Sequence, residues 1–183
     1  VSTGGNPGAY RNATIDTGSS GVIRVGHYRT DFSYNPSVSG AIDSYRGTFD
    51  AINIDSNPIF VGWQFGMLLR QDSSFYITGP INNPSSSWNS NDTGTITSTD
   101  FNKISGAGPM NPDFTITGGN IDFGYMFDIL LPSGGAEATG GFDNFNVTLN
   151  TTAVPEPSSL LAMMSLVGIG MGAYRFRRRQ NRK

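Results

Sequence analysis

The chain has 183 residues, no cysteine and a net charge of −2, so disulfides, thiolate metal sites and a cysteine nucleophile are excluded and packing alone must hold the fold. Charge is unevenly placed: residues 1–153 carry 13 acidic and 6 basic side chains, a balance of −7, against 1 and 6 in residues 154–183. An acidic body of about 150 residues, enough for one domain with a real core, excludes a basic face for nucleic acid and makes an anionic polysaccharide an awkward partner.

Residues 1–20 are rich in Gly, Asn, Ser and Thr, with Pro7 and the Gly4-Gly5 pair, and read as a loose N-terminal segment. Val22, Ile23, Val25 and Tyr28 make residues 21–29 the first expected strand. Asn35-Pro36 opens a turn that runs to Gly40, and residues 41–46 read as a short helical piece. Residues 48–54 alternate weakly. Residues 59–69 form an apolar run interrupted by Gly62 and Gly66, as in a buried strand with a bend, with Trp63 in the core. A short strand over 75–78 ends at Gly79-Pro80, and residues 82–95 form a polar loop without periodicity.

Further strands are expected at 95–97, 114–117 and 121–123. Residues 125–131 put Tyr125, Phe127, Ile129 and Leu131 on one face, as in a central strand. After a loop over 132–141, residues 142–149 alternate with Phe145, Val147 and Leu149 inward and Asn144, Asn146 and Thr148 outward. Roughly eight to ten short strands and no amphipathic helix define an all-β fold, an antiparallel β-sandwich over residues 21–150. The segment Gly141-Phe142-Asp143-Asn144-Phe145-Asn146-Val147 resembles the last strand of lectin-like domains, which implies a jelly-roll-like sandwich.

The linker, residues 151–159, contains Val154-Pro155-Glu156-Pro157. Pro155 and Pro157 fix φ and lack N–H groups, so this stretch neither joins a sheet nor continues a helix. Residues 160–174 carry no charge, while residues 175–183 hold six of the twelve Lys and Arg. The pattern predicts a single transmembrane helix over 160–174 with a basic cytoplasmic tail. It is slightly short of a ~30 Å hydrocarbon core, a deficit that snorkelling arginines cover. Arg175, Arg177, Arg178 and Arg179 set the topology, tail inside and body outside. Gly168 and Gly172 have GxxxG spacing, which suits helix packing and equally keeps the helix weak.

A Pro-Glu-Pro signature, an apolar helix and an arginine cluster, in that order, resemble the PEP-CTERM sorting signal of Gram-negative bacteria. The resemblance implies recognition of Val154-Pro155-Glu156-Pro157 by exosortase, a membrane-embedded cysteine-peptidase-like enzyme. It further implies an inner-membrane intermediate, removal of the helix, and delivery of the body to the cell surface or extracellular matrix. The expected role is structural or adhesive and not enzymatic, with extracellular polysaccharide as the alternative partner. An exported chain needs a leader, so one is expected to have been removed or to lie outside this sequence.

Several motifs inside the body carry candidate chemistry. Asp16-Thr17-Gly18-Ser19-Ser20 and Asp92-Thr93-Gly94-Thr95 resemble the aspartic-protease signature, but neither Asp follows the apolar lead-in of a buried strand, so both read as turns. Asn53, Asp55 and Asn57 begin a calcium-loop spacing that Pro58 and Gln64 break. Asp122, Asp128, Asp143 and Asn144 are the candidate group for a structural Ca²⁺, and no other metal or cofactor is expected. The single histidine, His27, lacks a nucleophile-elbow partner and reads as a strand residue. Trp88, with Asn89 and Asn91, is the candidate glycan contact, against the alternative of an indole folded back over the sandwich edge. Sequons at Asn12, Asn91, Asn146 and Asn150 have a role only in a glycosylating host.

Overall fold

A computed structural model describes residues 3–17, 21–56, 63–81, 85–131 and 136–152. The chain divides into two compact units, Val1–Thr152 and Ala153–Lys183. Every described element belongs to the first. The expected linker motif, the helix at 160–174 and the tail at 175–183 lie outside the described residues, as does the expected core position of the Trp63 ring. Among the described residues no helix is long and apolar enough to cross a membrane.

The first unit is all-β. Its strands are β1 (Arg11–Thr17), β2 (Gly21–Tyr34), β3 (Ala41–Ser56), β4 (Trp63–Gln71), β5 (Ser74–Thr78), β6 (Asn89–Asp92), β7 (Phe101–Ser105), β8 (Ile121–Leu131) and β9 (Ala136–Thr152). They form two antiparallel sheets in a sandwich-like arrangement, one in the order β1-β9-β3-β6 and the other β2-β8-β4-β5-β7. The single α-helical turn among the described residues, α1 (Pro36–Ser39), is capped by Asn35, whose side chain accepts from the Ser37 N–H. Proline at the first helical position completes this start signal.

β8 lies between β2 and β4 and buries Tyr125, Phe127 and Ile129 between the sheets, as the alternation requires. Its other face is also covered at Met126, which packs with Leu68 and Ile77. Opposite it, β9 turns Phe142 inward, and the Phe142 and Tyr125 rings stack at 3.6 Å between centroids. Phe49, Phe65 and Phe127 surround this contact. The core is therefore an aromatic layer gripped from both sheets.

Several expected elements differ. Residues 1–20 are not uniformly loose, because 11–17 form β1, with Ala13 and Ile15 facing the core. Residues 41–46 are strand and not helix. A register shift between Ile42 and Ser44 inserts one residue, so Ile42 and Tyr45 both reach the core at a spacing of three. Residues 121–123 and 125–131 are one strand, and 136–141 belong to β9 instead of a loop. The polar loop over 82–95 contains the edge strand β6.

At 95–97 only Ile96 bridges, to Tyr45, before Thr97 caps a 3₁₀ turn with Asp100. Residues 114–117 are a loop: the Asp113 carboxylate accepts from the Thr115 N–H at 2.9 Å and the Thr115 hydroxyl at 2.7 Å, and such local bonds outcompete a ladder. Gln71 holds that loop down, donating to the carbonyls of Asp113 and Gly119 and accepting from the Asp113 N–H.

Candidate functional site

The edge strands β1 and β2 belong to different sheets, and an open cleft of about 530 Å³ separates them, floored by β8 and β9. That volume is within the ~300–1,000 Å³ of small-molecule sites. Register fixes which side chains enter it. Arg11 pairs with Phe142, so the arginine shares the inward face of its neighbour. His27 pairs with Tyr125 and turns inward in the same way, between outward-facing Gly26 and Tyr28.

The cleft floor is a ring stack: His27 lies on Tyr125 at 5.2 Å and 26°, and Tyr125 lies on Phe142. Phe145 reaches the same floor, 5.8 Å from Tyr125. It does so because β9 gains a residue between the positions opposite Thr48 and Asp50, and Asn144 adopts φ +50 there. That bulge is pinned: the Asn144 amide donates to Asp50 at 2.6 Å and to the Asn6 carbonyl, and the Asn6 N–H donates to Asp143 at 2.7 Å.

Electrostatics in the cleft are uneven. Arg24, Arg29, Arg46 and Arg70 each meet a carboxylate, respectively Asp128, Asp31, Asp92 and Asp122. Among the described residues no carboxylate pairs with Arg11. Burial pushes the His27 pKa below its ordinary 6.5, and the Arg11 charge pushes it the same way. Burial raises the Tyr125 hydroxyl to about 12, with Arg11 acting in the opposite direction.

The unfolded chain therefore binds a proton at His27 that the folded chain resists. Stability from this group is complete above pH 6.5 and is lost as pH falls through the folded value. The urea midpoint of the native chain should decline between pH 7.5 and 5.5 more than that of His27→Gln, and parallel declines would remove His27 as the cause.

The sequence-expected residues lie elsewhere. Trp88 is half-buried, donates its indole N–H to the Gly4 carbonyl at 3.0 Å and meets Tyr10 edge-on at 5.4 Å, so it folds back on the N-terminal segment. The Asn89 amide donates to Ser85, and Asn91 is buried opposite Phe49, donating to the Asn89 carbonyl. Asp16 and Asp92 sit on β1 and β6, the two outer strands of one sheet. Three strand spacings of ~4.8 Å put them at least ~14 Å apart, too far for a shared proton.

Asp122 and Asp128 are six residues apart on β8, roughly 20 Å, and each meets an arginine, while Asp143 lies in the other sheet. The four-residue calcium group is thus not assembled, and among the described residues no cluster of three His, Cys, Asp or Glu could hold a metal. Asn53 and Asp55 lie within β3 and not in a loop, and Asn57 lies outside the described residues. Sequence reasoning passed over Arg11 and the cleft. The signal was the period of two in Arg11, Ala13 and Ile15, which puts a charge on a core-facing stripe.

Residues 153–179 carry a PEP-CTERM protein-sorting motif. No curated protein matches the sequence. Among solved structures, the chain is similar to the family 11 carbohydrate-binding module of cellulosomal cellulase Lic26A-Cel5E of Clostridium thermocellum. Identity is 14% over 81% of this chain and 92% of that one, with a TM-score of 0.32. A family 11 module from the same organism in complex with a beta-1,3-1,4-mixed-linked tetrasaccharide gives 13%, 79%, 91% and 0.32. Infectious bursal disease virus, Gx strain, gives 12%, 90%, 49% and 0.25.

Proposed function

We propose that this chain is an exported, non-enzymatic surface or extracellular-matrix protein of a Gram-negative bacterium, processed by exosortase at its C-terminal signal. The observation that carries the reading is the sorting motif over residues 153–179. Pro155 and Pro157 keep the recognition segment out of both sheet and helix, leaving its backbone open to an enzyme. Residues 160–174 enter the inner membrane, and Arg175, Arg177, Arg178 and Arg179 hold the tail on the cytoplasmic side. The β-sandwich is the delivered cargo, with a structural or adhesive role. Its separation of Asp16 from Asp92 supports a body without protease chemistry.

Replacing Pro155-Glu156-Pro157 with three alanines in the native host should abolish processing and leave the full-length form in the membrane fraction. The measurement is gel mobility together with release of the body from membranes. Normal mobility and normal release of the variant would sink the proposal.

A further inference from the structure

Three buried polar atoms have no hydrogen-bond partner among the described residues: the hydroxyls of Tyr45 and Tyr125 and the Asn53 side-chain oxygen. Of these only Tyr125, 8% exposed, lines the cleft between β1 and β2. A buried hydroxyl without a partner costs free energy, and native structures keep such groups where something else completes them. Arg11, on β1 of the facing sheet, is the one arginine among the described residues that meets no carboxylate, and its charge acts on both Tyr125 and His27. Both residues line the cleft, Tyr125 with a buried hydroxyl that lacks a partner and Arg11 with an exposed guanidinium that meets no carboxylate among the described residues.

We propose that this cleft binds a carboxylate-bearing sugar residue, with Arg11 and the Tyr125 hydroxyl on the carboxylate and the pyranose ring against His27 and Phe145. Guanidinium matches carboxylate as a planar fork, and the match is strongest in a partly dry site. The aromatic floor offers apolar faces to a sugar ring. Because the cleft opens along a sheet edge, a sugar within a chain can enter as readily as a free one. Asp143, which also lines it, keeps its charge and repels an anion, but its two oxygens are held by the N–H groups of Asn6 and Asn144, so it is fixed on the bulge. The Arg11 guanidinium must therefore outweigh this repulsion, which makes the arginine the main determinant of an anion site.

The test titrates the full chain, in an uncharged and sugar-free detergent, with glucuronate, glucose and benzoate, followed by NMR shifts and calorimetry. Glucuronate should bind saturably and move the signals of Arg11, His27 and Tyr125, with glucose weaker by roughly tenfold or more. Arg11→Met should weaken glucuronate by about tenfold or more while Arg11→Lys retains part of the affinity. Tyr125→Phe should weaken glucuronate yet leave the urea midpoint unchanged or higher, because the orphaned hydroxyl is gone.

Equal affinity for glucose and glucuronate, tighter binding of benzoate, or shifts confined to other regions would overturn the proposal. So would an Arg11→Met chain that self-associates with glucuronate binding intact, since an inward charge on an edge strand also blocks edge pairing. None of these results bears on processing at residues 155–157, so the sorting proposal stands or falls separately.

Discussion

Phe142→Ala is expected to remove about 4 kcal/mol of stability from the β-sandwich, the usual scale for deleting a fully buried aromatic ring. Phe142 is 2% exposed and contacts five rings: Tyr125 at 3.6 Å, Phe49 at 4.9 Å, Phe65 at 6.0 Å, and Phe127 and Phe145 at 6.1 Å. These partners come from both sheets, so the neighbours on one sheet cannot close the gap without dragging the other. A domain of this size is stable by about 5–15 kcal/mol, which makes the loss a large share of the total. At an m-value of ~2 kcal/mol/M the urea midpoint should drop by about 2 M. Phe145→Ala serves as the comparison. Phe145 is half-buried at the cleft, and its removal should cost less than half as much. Equal losses would mean that the stack does not hold the two sheets together.

The same stack shows why part of the fold was legible in the sequence and part was not. Tyr125, Phe127 and Ile129 alternate without interruption, so a period of two found both the strand and its inner face. Where a bulge inserts a residue, the period fails. Ile42 and Tyr45 face the core three residues apart, which reads as a helical turn, and Phe142 and Phe145 do the same across Asn144. β1 escaped because Ala13 and Ile15 are its only inward apolar residues and lie in polar surroundings. β7 escaped because only Phe101 is buried on a short outer strand.

The cleft follows from register and not from residue type. Trp88 drew attention as an aromatic in a polar loop, yet its indole is satisfied by the Gly4 carbonyl and Tyr10. Arg11 drew none, because a lone arginine in a Gly- and Asn-rich segment looks like solvated surface. Its cleft-facing position follows from pairing with Phe142, a contact 131 residues distant in sequence that no local pattern encodes. The C-terminal motif was legible for the opposite reason: its recognition depends on a contiguous order of proline, apolar and basic residues, all of it local.

Gly124→Ala should disrupt the sandwich through the backbone, by roughly 3 kcal/mol or more. Gly124 lies in β8 opposite Tyr28 of β2, with no positive φ, so conformational freedom is not what glycine supplies. A Cβ there would overlap the His27 carbonyl oxygen and come within 2.8 Å of Tyr28 Cα. Both obstacles are backbone atoms of a paired strand and cannot rotate aside. β2 must move away from β8, weakening the ladder and displacing His27 from the Tyr125 ring, so the damage includes the cleft. The expected signature is a lowered urea midpoint together with shifted NMR signals of His27 and Tyr125. Gly79→Ala is the control, since a Cβ at Gly79 meets nothing within 4 Å, and it should be neutral or stabilise by up to ~1 kcal/mol through the unfolded chain. If Gly124→Ala kept the native midpoint and an unmoved His27 signal, the close approach of β2 to β8 would be wrong, and with it the geometry on which the Arg11 cleft depends.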